Sequence, residues 1–270
     1  MSTSNPKGSA LITGASSGIG ARYAEQLARR GHDLILVARD QARLDALAAR
    51  LREQAGVRVE VLRADLAVRD DLARVEQKLR DDETIALLVN NAGIAASGPL
   101  AEADPAALDA LIALNVLALT RLAGVAAARF GARGRGAIVN IGSIVALLPE
   151  RFNAVYSASK AYVLSLSQTL QAELASRGVQ VQAVLPGATR TEIWASSGLD
   201  ASQVPDSMFM EADELVAAAL VGLDRGERVT IPSLPDPADW EALDAARGAL
   251  GPNLSHDHAA PRYREAFAPA

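Results

Sequence analysis

Tyr156 and Lys160 stand four residues apart in a stretch with helical spacing, so their side chains leave one helix face. A phenol beside an ammonium can move a proton to or from an oxygen. Alone, a phenol ionises only near pH ~10 and is a poor proton shuttle. A positive charge ~5 Å away, at an effective dielectric of ~20, favours phenolate by roughly 3 kcal/mol, about two pKa units. Tyr156 is therefore expected to act as general acid toward a carbonyl and general base toward an alcohol. Ser143 lies thirteen residues earlier, at the end of a strand-like run, where its hydroxyl could donate to the same oxygen. The chain has 24 arginines and only three lysines, Lys7, Lys78 and Lys160, which suggests that a compact charge is wanted at Lys160. Asn115 sits in an apolar helical stretch, where an amide needs a partner, either in packing or in the site.

A second group of residues could hold an anion. The first strand-like run leads into Thr13-Gly14-Ala15-Ser16-Ser17-Gly18-Ile19-Gly20 and then an amphipathic helix. Glycine lets backbone turn tightly and approach a ligand, and a helix start offers unpaired N–H groups and a positive dipole. In this context a pyrophosphate is the expected guest. A carboxylate at the end of the second strand would select NAD, but Val37-Ala38-Arg39-Asp40 places a guanidinium there. Arg39 is either a surface arginine or a partner for a 2′-phosphate, with Ser17 as an added donor; the reading adopted is NADP. Asp40 reads as the cap of the next helix.

These residues need elements to hold them. Aliphatic or β-branched runs occur at Ser9–Thr13, Asp33–Ala38, Val57–Leu62, Ile85–Asn90, Ala137–Ile141, Val179–Leu185 and Arg228–Ile231. Helical spacing fills the gaps at Ala21–Arg30, Gln41–Gln54, Leu66–Arg80, Pro105–Phe130, Tyr156–Arg177 and Ala212–Leu223. This alternation predicts an α/β fold: a single doubly wound Rossmann-type domain, with a seven-stranded parallel sheet and helices on both faces. The domain is expected over residues 1–231, with 186–210 as a substrate lid, and 232–270 as a proline-rich extension of the same domain.

Composition excludes other classes. The 270 residues are 50% hydrophobic, enough to bury a large core. There is no cysteine, so no disulfide and no thiolate chemistry. A net charge of −5 gives no basic footprint for nucleic acid, and 4% aromatics argue against stacking platforms. No signal-like or membrane-spanning stretch is expected, and a cytoplasmic location is the default. Ser255-His256-Asp257-His258 reads as a solvated tail, and no metal is expected.

The motifs together resemble the short-chain dehydrogenase/reductase family. The glycine turn matches TGxxxGxG, Asn90-Asn91-Ala92-Gly93 matches NNAG, and Tyr156-Ser157-Ala158-Ser159-Lys160 matches YxxxK. Asn115, Ser143 and Pro186-Gly187 follow in family order, so the resemblance spans nearly the whole chain. It implies an NADP(H)-dependent oxidoreductase with Asn115, Ser143, Tyr156 and Lys160 as catalytic residues. Lys160 would also hold the nicotinamide ribose, and Asn115 would order a water in the relay to solvent. The cofactor wall would comprise Gly14, Ser16, Ser17, Gly18, Ile19, Gly20, Arg39, Asp65, Leu66, Asn91, Ala92, Gly93, Pro186, Gly187 and Thr189. Asp65 and Leu66 would meet the adenine, and Asn91 and Gly93 the adenosine side.

Substrate would be read by Ile144, Val145, Phe152, Ile193, Trp194 and Phe209; the lid aromatics are either contacts or lid-to-core staples. This set suggests a hydrophobic ketone or aldehyde reduced to its alcohol, in a reversible reaction. A 3-oxoacyl thioester comes second, because Arg129, Arg133 and Arg135 cluster at the opposite end from the site. A non-catalytic NADP-binding regulator is the alternative of another class. The resemblance further implies a homodimer or homotetramer. The tail either covers an interface or reaches over the active site.

Overall fold

The computed structural model describes residues 7–194 and 201–264. The chain falls into two compact units, Met1–Pro232 and Ser233–Ala270.

In the first unit, seven strands form one parallel sheet: β1 (Ser9–Thr13), β2 (Asp33–Ala38), β3 (Val59–Arg63), β4 (Ile85–Asn90), β5 (Gly136–Ile141), β6 (Val179–Val184) and, at the edge, the last strand Val229–Thr230. The spatial order is β3-β2-β1-β4-β5-β6 and then Val229–Thr230. Strand order reverses between β1 and β4, and such a switch point opens a crevice beyond the carboxyl ends of the strands. Burial explains the parallel arrangement: β1 and β2 are buried along their whole length, with side chains alternating between two cores. Ala10 and Ile12 join one core, with Leu27, Leu44 and Leu220, while Leu11 joins the other, with Leu72, Leu122 and Phe130.

The helices α1 (Gly18–Arg29) and α2 (Gln41–Ala55) cover the first face with α7 (Ala212–Asp224). The second face carries α3 (Arg69–Asp81), α5 (Leu119–Arg133) and α6 (Ala154–Leu174), and α4 (Pro105–Ile112) precedes α5 and touches α6. Two short strands, β7 (Thr189–Arg190) and β8 (Met210–Glu211), pair in parallel and anchor both ends of the predicted lid. The edge strand Val229–Thr230 is β9.

Most boundaries shift by one to three residues from the sequence reading, and two differences have a clear physical cause. The third strand starts at Val59 rather than Val57, because Gly56 ends α2 in the left-handed region and the Arg58 backbone N–H donates to the Asp33 carboxylate. The expected helix Pro105–Phe130 is three pieces, with a π-helical segment at Ala113–Ala118 between α4 and α5. Extra residues per turn reorient the side chains within such a segment, and Asn115 lies in it. By length and composition Pro105–Arg133 could cross a membrane. Here Ala118, Leu122, Ala126 and Phe130 pack into the second core.

In the second unit, α8 (Pro237–Ala249) starts where the Asp236 carboxylate accepts from Ala238 N–H, with proline in the first turn. A short α9 (Pro261–Arg264) follows.

Candidate active site

The glycine turn leaves β1 at Thr13. Gly14 has φ +64°, and a Cβ there would lie 2.7 Å from Asn91 Nδ2 and 2.9 Å from Ala92 Cα. Only glycine fits that close approach. The Asn91 amide donates to Thr13 O at 2.9 Å and Gly14 O at 3.2 Å. The Thr13 hydroxyl accepts from the N–H groups of Asn91 and Ala92 at 2.9 and 3.0 Å. The segment after β4 is thus tied to the turn. A Cβ on Gly20 would lie 2.3 Å from Gly14 O, so Gly20 lets α1 seat against the turn instead of lining the cleft. Helix geometry leaves the first N–H groups of α1 without intrahelical partners, and Ser17, its N-cap, makes no side-chain cap bond. This start suits a pyrophosphate.

Arg39 follows β2. Its side chain is 72% exposed and its guanidinium lies 4.0 Å from the Asp65 carboxylate, a long contact that leaves it available to an anion. Asp40 accepts from Arg43 N–H at 3.0 Å and caps α2. Arg39, Asp65 and Leu66 line the cleft together.

At the other end, Ser143 follows β5 and its hydroxyl accepts from Val145 N–H at 3.3 Å. Asn153 caps α6 and places Tyr156 as the third helical residue. Lys160, one turn on, is buried; its Nζ donates to Ile141 O at 3.0 Å and lies 5.8 Å from the Tyr156 ring centre. Burial lowers its pKa to about 8. The Tyr156 phenol is pushed above its ordinary value by burial, partly offset by a hydrogen bond from Ser143. This reverses the expected direction. The simple two-charge argument omitted desolvation, which acts here on both groups.

Asn115 is buried behind the cleft, not in its wall. Its amide donates to Ile94 O at 2.8 Å and accepts from Ile94 N–H at 2.9 Å. It also lies 3.3 Å from the Ser159 hydroxyl, which donates to Tyr156 O at 2.7 Å. A Cβ on Gly93 would lie 3.1 Å from Asn115 Oδ1 and 3.6 Å from Lys160 Nζ. Gly93 therefore stands on the catalytic side, not the adenosine side expected, because the chain after β4 crosses from the glycine turn toward α6.

One cleft of about 1460 Å³ runs across the carboxyl ends of the strands. Gly14, Ser16, Ser17, Gly18, Ile19, Asn91, Ala92 and Gly93 line it, as do Ser143, Tyr156, Lys160, Pro186, Gly187 and Thr189. Ile144, Val145, Phe152, Ile193 and Trp194 complete the other end. Phe209 lies outside the wall. It packs edge-on to Trp194 at 5.1 Å, with the Arg190 guanidinium 5.0 Å over its ring, and so staples the lid. The Trp194 indole N–H donates to Thr189 O at 2.8 Å. Residues 195–200 of the expected lid lie outside the described residues.

Four contributors had no role in the sequence reading: Thr13, Asn153, Ser159 and the Arg43–Glu192 ion pair. Asn153 could have been found, since an asparagine three residues before a helical tyrosine is a cap signal. The ion pair could not, because its partners are 149 residues apart.

The short chain dehydrogenase family model matches residues 9–201. The chain is 57% identical to a short-chain dehydrogenase from Sphingobium yanoikuyae solved in complex with NADPH, with a TM-score of 0.92 over 95% of this chain and 100% of that one. It is 50% identical to the bulky-bulky ketone specific alcohol dehydrogenase from Comamonas testosteroni, with a TM-score of 0.88 over 95% and 98%. Among curated relatives, it is 37% identical over 182 residues to a very-long-chain 3-oxoacyl-CoA reductase of Anas platyrhynchos, covering 66% of this chain and 58% of that protein's length. The glycine turn, the paired Tyr156 and Lys160 and the match over most of the sheet agree: this chain belongs to the short chain dehydrogenase family of oxidoreductases.

Proposed function

We propose that the protein is an NADP(H)-dependent oxidoreductase acting on CH–OH groups, and that it reduces bulky hydrophobic ketones to secondary alcohols, reversibly. One observation carries this reading. Arg39 and the glycine turn occupy one end of a single cleft, and Ser143, Tyr156 and Lys160 converge at the other. At about 1460 Å³ the cleft exceeds the ~300–1,000 Å³ usual for one small ligand, so it has room for a dinucleotide and a substrate.

The residues present fit the dinucleotide. A Cβ at Gly14 would clash, so backbone can come close there, and the exposed Arg39 suits a 2′-phosphate. When bound, the nicotinamide supplies the hydride. Ser143 donates to the carbonyl oxygen and steadies its growing charge. Tyr156 gives that oxygen its proton in reduction and takes it back in oxidation. Lys160 holds ribose hydroxyls and returns a proton to the phenol. Asn115 holds the Ile94 backbone and, through Ser159, the first turn of α6. Ile144, Val145, Phe152 and Trp194 offer an apolar seat for both ketone substituents.

A 3-oxoacyl thioester is the second reading, supported by the reductase from Anas platyrhynchos. The basic cluster does not favour it. Arg133 donates to Glu83 O and Arg129 pairs with Glu83 beside the amino end of β4, away from the cleft. Exposed Ile112, Leu117 and Tyr162 on α4 to α6 support a homo-oligomer.

NADPH consumption against diaryl ketones, steroid ketones, small aliphatic ketones and acyl thioesters tests the proposal. Turnover greatest with the bulky ketones is expected. Turnover with thioesters alone would overturn the substrate class, and binding of NADPH without any turnover would overturn the enzyme reading.

A further inference from the structure

The catalytic helix begins with a residue that does two jobs. The Asn153 side-chain oxygen accepts from Tyr156 N–H at 3.0 Å, which caps α6 and fixes the backbone of the tyrosine itself. The other half of the same amide donates to Gly98 O at 2.7 Å, with Ser97 O at 3.5 Å. Gly98 is 55 residues away. It belongs to the segment after β4, of which residues 94–100 line the cleft. Gly98 has φ +76° and open space where a Cβ would stand, so nothing packs on the bend from that side.

At its near end this segment is held by Asn115, which bonds both backbone groups of Ile94 and reaches α6 through Ser159. Farther along, Asn153 holds it directly to α6. The wall of the cleft is therefore registered at two points against the helix that carries Tyr156.

The residue type sharpens the argument. A helix N-cap is served equally well by Asp or Ser, and an aspartate is further favoured by the helix dipole. Neither offers the N–H donors that Gly98 O receives. The asparagine is thus explained by the second bond rather than by the cap.

We propose that Asn153 is a positioning residue that sets the 94–99 wall of the cleft against Tyr156 and so decides how tightly a bulky substituent is seated beside the phenol. The inference rests on Tyr156 as the proton donor.

Asn153→Asp and Asn153→Ser separate the two jobs, with Tyr156→Phe as the reference. Both Asn153 variants keep a cap acceptor and are expected to melt within about 3 °C of the parent protein. Aspartate loses the donor to Gly98 outright, and serine replaces the amide N–H with a shorter hydroxyl. The KM for a diaryl ketone should rise about tenfold, with kcat within about threefold and NADPH affinity unchanged. Acetone, which has no bulky substituent to seat, should show no such rise. An unchanged KM for the diaryl ketone in both stable variants would overturn the inference, as would equal losses for both ketones. Tyr156→Phe with near-normal turnover would overturn the proton-donor reading. An inactive Tyr156→Phe alongside unaffected Asn153 variants would overturn only the role given to Asn153.

Discussion

Arg43 and Glu192, 149 residues apart, form an ion pair of 2.6 Å between the first turn of α2 and the segment after β7. Both residues line the cleft. Both side chains are at least half exposed, and their contribution to stability is small. Their effect on an anionic ligand is larger, since Glu192 puts a negative charge on the wall of the cleft proposed to take NADPH. Glu192→Gln should tighten NADPH binding about two- to fivefold at low salt and leave the melting temperature unchanged. Fluorescence titration with NADPH reads the change, which should shrink as salt is raised.

On the proposed function, Arg39 selects the dinucleotide. Arg39→Asp should weaken NADPH binding about a hundredfold and leave NADH binding equal or improved, because the carboxylate repels a 2′-phosphate and accepts from a ribose diol. Dissociation constants for the two cofactors measure this directly. An unchanged ratio would remove Arg39 from the site.

Tyr156→Phe should lower kcat by about a thousandfold while NADPH binds as before. Only the hydroxyl is lost, and the ring that packs beside Lys160 is kept.

Lys160 gives a stability signature that can be followed without substrate. Its pKa is about 8 in the folded chain against an ordinary 10.5, so the fold disfavours the charged form. Below pH 8 both states are protonated and the cost is present in full. Between about 8 and 10.5 the unfolded chain binds more protons than the folded one, so stability contributed by this group rises with pH. Lys160→Met should abolish that rise. Melting curves from pH 7.5 to 9.5 test it; the window stops short of pH 10 because buried Tyr23, raised by desolvation, adds its own titration above that.

Gly14→Ala places a methyl group at φ +64° and within 2.9 Å of Ala92 Cα. It should cost at least ~2 kcal/mol, lower the melting temperature by about 5 °C and abolish NADPH binding. A calorimetric scan and a titration on the same sample check both.

Much of this site could be read from residue types because its chemistry is local in sequence. The turn from Thr13 to Gly20 lies between a strand and a helix, and the Tyr156–Lys160 pair needs only one helix to align it. Strands buried on both faces also announce themselves as continuous aliphatic runs. What stayed hidden depends on distant packing. The π-helical segment around Asn115 has no composition signal, since its residues suit an ordinary helix. Phe209 reads as a pocket aromatic, but pairing of β7 with β8 sets it behind Trp194. The Tyr156 phenol was expected to acidify because charge spacing is visible in a sequence and desolvation is not.

The walls of the cleft follow the order of the chain. Residues up to Leu66 build the end with the glycine turn and Arg39, and those from Ile141 to Trp194 build most of the end with Ser143, Tyr156 and the apolar side chains. On the proposed function, cofactor choice and substrate choice are modular traits, open to exchange or selection one at a time. Arg43 and Glu192 join a residue from each module, and there a change made for one ligand is felt by the other.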